Sequence, residues 1–96
     1  MKILAIEKEI PGITEEDFSS HAVAEARQVW NLIQEEKIRE IYFRQDQDSA
    51  VILLECQDEF EAGQILDTLP FVINNLIEFE IVPLKPYPGL KRLMAD

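Results

Sequence analysis

The sequence predicts an α+β domain of βαββαβ order, and three observations carry that prediction. Four short runs are rich in β-branched and aromatic residues, two longer stretches repeat apolar residues at three- and four-residue spacing, and the two kinds alternate along the chain. Ninety-six residues, 47% of them hydrophobic and 29% charged, are one globular domain's worth, so residues 1–96 are expected to share a single core. A chain of this size buries enough surface to hold together without cross-links, and the lone Cys56 allows no intramolecular disulfide.

Lys2 to Lys8 reads as the first strand, apolar on both parities: Ile3 and Ala5 on one face, Leu4 and Ile6 on the other. Pro11 and Gly12 break the chain. Thr14 followed by Asp17 has the form of a helix start, and the helix is expected to run to about Glu36 with Phe18, Ala22, Ala26, Val29, Trp30 and Ile33 on one stripe. Ile38–Gln45 and Ala50–Cys56 are strands joined by the polar DQDS turn. Asp58, with Glu61 three residues on, starts a second helix that buries Ala62, Ile65, Leu66 and Leu69 and is expected to end at Pro70. Leu76–Val82 alternates cleanly as a fourth strand, and a proline-rich tail, residues 83–96, follows. Right-handed crossovers place both helices on one face of a four-stranded antiparallel sheet, the ferredoxin-like arrangement.

The other face of that sheet is the informative one. The first and third strands are apolar on both sides, whereas a half-solvated sheet shows polar residues across its outer face. An open apolar face of that size invites aggregation, so a cover is expected, and a second copy of the chain is the simplest one. The tail is expected to pack on the partner subunit, because Leu84, Tyr87, Leu90, Leu93 and Met94 are too apolar to remain in water.

Charge narrows the partners. Nineteen acidic residues against nine basic ones give a net charge of −10, which repels phosphate backbones and anionic membranes. No nucleic acid and no membrane is expected, and with no secretory signal pattern a cytoplasmic location is the default. One His and one Cys make no zinc site, the Asp46–Asp48 hairpin lacks the glycine and closing Glu of a calcium loop, and the three glycines are isolated, so neither metal nor cofactor is expected.

For chemistry, His21 falls at the edge of the buried stripe and Glu25, one helical turn later, falls inside it beside Phe18 and Leu32. A carboxylate there can fix the tautomer of an imidazole and raise its pKa, as a general acid or base requires. The bland alternative is a surface i,i+4 pair. Arg44 shares a strand face with Tyr42 and Glu40 and is the candidate to stabilise an anion. Trp30, Tyr42 and Phe79 are candidates either to line a small-molecule pocket or to fill it with the protein's own side chains.

The segments LIQEEKIREIYFR, SAVILLEC and LDTLPFVINNLIEFEIVPL together resemble muconolactone isomerase and its relatives in the dimeric α/β-barrel superfamily, and the tail PYPGLKRL resembles an uncharacterised bacterial branch of that family. The resemblance implies two sheets packed face to face in a homodimer, which can assemble further, and a cofactor-free proton shift on a small organic molecule. Arg44 matches an arginine of the isomerases. Their hairpin histidine has no counterpart in QDQDS, and their second-strand tryptophan falls near Arg39. The alternative is a non-catalytic, ligand-binding or stress-associated homodimer.

Overall fold

The computed structural model describes residues 1–94. Its elements are β1 (Lys2–Glu9), α1 (Glu15–Ser19), α2 (Ala22–Gln34), β2 (Ile38–Phe43), β3 (Ala50–Glu55), α3 (Glu59–Leu66), α4 (Pro70–Ile73) and β4 (Ile77–Pro83), then a short 3-10 helix over Pro88–Leu93. The four strands form one antiparallel sheet in the order β2-β3-β1-β4 with the helices on one face, so the ferredoxin-like α+β fold is the one the sequence predicts. No helix is long and apolar enough to cross a membrane among the described residues.

Register decides which parity is inside. Ile3 lies opposite Leu54 and Ala5 opposite Ile52 and Ile81, and these residues face the helices. Ile38 of β2 lies beside Leu54, and Leu32, Ala62, Ile65, Leu66 and Leu69 close over them as the core. Each fully buried aliphatic side chain contributes about 1.5–3 kcal/mol. The opposite parity pairs Leu4 with Leu53 and Val82, and Ile6 with Val51, and all five side chains are only half-buried. They form an apolar stripe on the face that carries no helix.

Two helices are shorter than their sequence pattern. The run expected from Thr14 to Glu36 breaks at Ser20–His21. The hydroxyls of Ser19 and Ser20 both donate to the Glu16 carbonyl at 3.0 Å, and the His21 N–H turns back to Phe18 O, so the ladder tightens and α2 starts afresh. The break also rotates the buried stripe. Val29, Leu32 and Ile33 pack inward, while Ala22 and Ala26 are exposed and Trp30 is 59% exposed. Likewise Pro70 does not finish the second helix. It occupies the first position of α4, where its missing N–H costs nothing.

Beyond Leu84, whose N–H still donates to Lys2 O at 3.0 Å, the tail leaves the sheet. Tyr87, Leu90, Leu93 and Met94 are all exposed, and Ala95 and Asp96 lie outside the described residues. The chain is 60 Å long, with a radius of gyration of 15.7 Å. A compact chain of this length has about 12.5 Å.

Candidate functional site

β1 continues past its last apolar pair, and its helix-facing parity then places Glu7 under the helices, opposite Phe79 of β4. The neighbouring position on β3 is Ala50, whose N–H donates to Glu7 Oε1 at 2.9 Å. A side-chain carboxylate thus takes the hydrogen bond that a strand carbonyl would otherwise accept.

Above Glu7 the roof is aromatic. Phe18 of α1 and Phe71 of α4 meet edge to face, ring centroids 5.1 Å apart at 80°. Phe71 is the second residue of α4, so its N–H has no partner within that helix. Glu25 of α2 supplies one, accepting it through Oε1 at 2.9 Å. A carboxylate on the core side of α2 is therefore explained by the helix end it holds.

Two adjoining clefts open beside this arrangement, of about 250 Å³ and about 200 Å³. Glu7, Phe18 and Asp48 line both; Glu9, Ile10 and Ile77 belong to the larger, Phe43 and Phe71 to the smaller. Among the described residues neither has a Lys, Arg or His in its wall. Burial pushes the Glu7 carboxyl above the usual carboxylate range, the Ala50 N–H pulls it down, and the charge of Glu9 pushes it up again. Glu25 is raised in the same way: burial first, opposed by the Phe71 N–H, with the charge of Glu7 adding to it. Glu7 thus senses the charge of Glu9 and Glu25 that of Glu7, and both hold a proton more readily than a carboxyl in water.

Of the residues singled out from sequence, Glu25 belongs to this site. His21 stands at the N-cap of α2, half-buried and outside both cleft walls, with its carbonyl accepting the Glu25 N–H at 2.9 Å. Arg44 lies in the β2–β3 hairpin, where Nε and Nη2 donate to both carboxylate oxygens of Asp46 at 2.9 and 2.6 Å. That fork raises the guanidinium and lowers Asp46. Tyr42 is on the open face opposite Val51, 61% exposed. Its hydroxyl donates to Glu40 at 2.8 Å, which pushes its pKa up. Phe79 packs half-buried against the core beside Ile81 and Val72. Tyr42 and Arg44 are thus separated from Glu25 by the sheet and the hairpin. Glu7, which the sequence pattern does not single out, shares the parity of Ile3 and Ala5, a signal only once the register shows that this parity faces the helices.

A ferredoxin-like domain with a carboxylate and aromatic cleft where β1 leaves the sheet is the class of protein that fold and site define. Among solved structures the chain is similar to 5-chloro-2-hydroxyhydroquinone dehydrochlorinase from Burkholderia phenoliruptrix, in complex with 2,5-dihydroxybenzoquinone: TM-score 0.73 and 16% sequence identity, over 93% of this chain and 98% of that chain. At that identity the likeness establishes the fold. No family model matches the chain, and no curated protein sequence matches it.

Proposed function

We propose that this chain is a homodimeric, cofactor-free catalyst of proton transfer on a small planar organic molecule, muconolactone isomerase-like in its class of chemistry. The observation that carries the reading is Glu7. It is a half-buried carboxyl with a raised pKa, fixed through Oε1 by the Ala50 N–H, at the floor of a cleft roofed by Phe18 and Phe71. Oε2 is then the oxygen that takes a proton from one carbon of the ligand and returns it to another, a shift that needs no oxidant or reductant. General acid–base catalysis of this kind contributes typically about 10²–10⁴-fold. Glu9 raises Glu7 further through its charge, and Glu25 holds the aromatic roof. The sequence resemblance supports the chemistry, and so does the solved dehydrochlorinase, whose bound dihydroxybenzoquinone is itself a planar ring.

Proton exchange in D₂O, followed by NMR on a panel of small lactones and hydroxylated rings, tests the reading with Glu7→Gln and His21→Ala side by side. Exchange should exceed that in buffer and fall at least about a hundredfold in Glu7→Gln. Retention in Glu7→Gln with loss in His21→Ala would move the role to the histidine. Ligand binding without any exchange would favour the non-catalytic homodimer, a reading in keeping with the structural tie between Glu25 and Phe71.

A further inference from the structure

We propose that the cleft beside Glu7 selects organic cations, small rings carrying an ammonium group, over carboxylate-bearing anions of the same shape. The proposal deepens the functional reading above and rests on its assignment of the cleft as the ligand site.

Three features of the walls converge on that choice. The rings of Phe18, Phe43 and Phe71 line the smaller cleft, and an aromatic face attracts a cation through its quadrupole while giving a neutral ring only contact area. Glu7 and Asp48 border both clefts and Glu9 the larger, so the charged groups that a bound molecule meets are carboxylates. Among the described residues cationic side chains are missing from both walls, and Arg44 of the adjoining hairpin is held by Asp46 through Nε and Nη2. A ligand carboxylate would have no donor there except main-chain groups, and it would stand next to carboxyls that already repel one another. An ammonium group relieves that repulsion and replaces its lost hydration with the Asp48 carboxylate on one side and a phenylalanine ring on the other, leaving Glu7 Oε2 to the proton shift. Size sets the class further. At about 250 and 200 Å³ both clefts fall below the roughly 300 Å³ at which sites for drug-sized ligands begin, so the ligand is a single ring with a short arm.

The test is a matched series titrated into the full chain by NMR: 2-phenylethylamine, 2-phenylethanol and 3-phenylpropanoate. The ring resonances of Phe18, Phe43 and Phe71 report occupancy of the cleft. The amine should shift these rings and bind at least about tenfold more tightly than the alcohol, and the propanoate should leave them unmoved. Glu7→Gln, or Glu9→Gln should the first variant fold poorly, should weaken the amine several-fold. Glu59→Gln on α3, away from the cleft, should leave it unchanged. Equal affinity for amine and alcohol, or preference for the propanoate, overturns the selection for cations while leaving the cleft as a ring-binding site. Equal weakening by Glu59→Gln and Glu7→Gln overturns it too, since the attraction would then belong to the net charge of −10. Shifts confined to residues outside the cleft would sink this proposal and the site assignment together.

Discussion

Glu7 and Glu25 are two carboxylates placed where water is scarce, each holding one main-chain N–H that the fold would otherwise leave without a partner. Their raised pKa values mean that the folded chain binds protons at these sites more tightly than the unfolded chain does. Their contribution to stability is therefore fully present below the ordinary carboxylate value and is lost as pH rises through the folded-state values. Asp17, Asp46 and Glu55 run the opposite way. Thr14, Arg44 and the N-terminal ammonium lower them in turn, so what they contribute is lost on acidification. All three are solvent-facing pairs, screened and worth little. Glu7→Gln isolates the buried term, because an amide oxygen can still accept the Ala50 N–H while the charge is gone. Its melting temperature should exceed that of the wild type at pH 8, and the difference should shrink toward pH 4. A difference independent of pH across that range would show that Glu7 carries no buried charge.

At the scale of elements, what the sequence declares is what neighbouring residues decide among themselves. Thr14 and Asp17 form a complete capping box, and Asp58 accepts the Glu61 N–H at 2.9 Å, both within three residues. The four strands are equally local, since runs such as AVILLEC favour extended backbone wherever they pack. The break at Ser20–His21 is less legible, because two serines compete with a helix pattern that continues on either side. Glu7 was hidden for a different reason: β1 is apolar on both parities, so only the register with β3 and β4 shows which parity lies under the helices. The helix ends were hidden as well. Glu36 and Asn75 close α2 and α4 in left-handed conformation at φ 63° and 57°, in each case with paired return bonds to the preceding turn, although neither is glycine. A side chain there costs roughly 1–2 kcal/mol, and glycine gives back about 0.5–1 through the freedom of the unfolded chain. Glu36→Gly should accordingly stabilise the domain by about 0.5–1 kcal/mol in urea unfolding, a rise of a few degrees in melting temperature. A loss of stability would mean that the Glu36 side chain contributes more than its conformational cost.

The whole molecule exposes more surface than a finished domain of its mass. It presents 7045 Å² to solvent, where a compact 11.1 kDa monomer presents about 5,700 Å². The surplus, on the order of 1,300 Å², is in the range that one partner contributes to a stable interface. Its sources are the tail and the apolar stripe of Leu4, Ile6, Val51, Leu53 and Val82 on the sheet face without helices. Around that stripe stand charges of both signs, Lys2 and Lys8 beside Glu55, Glu78 and Glu80, so the face can meet a second copy of itself without uniform repulsion. The expectation of self-pairing has the same physical reason: two strands apolar on both parities need two covers, and the described helices supply one. Leu53 lies near the middle of the stripe and is half-buried in the single chain, so a lysine there can extend to water in a monomer but not between two sheets. The wild type should run by light scattering at twice 11.1 kDa at micromolar concentration. Leu53→Lys should run as a monomer while keeping its far-ultraviolet circular dichroism. A wild-type monomer would remove the second cover altogether, and a dimeric Leu53→Lys would move the interface off the sheet face, leaving the exposed tail to make it.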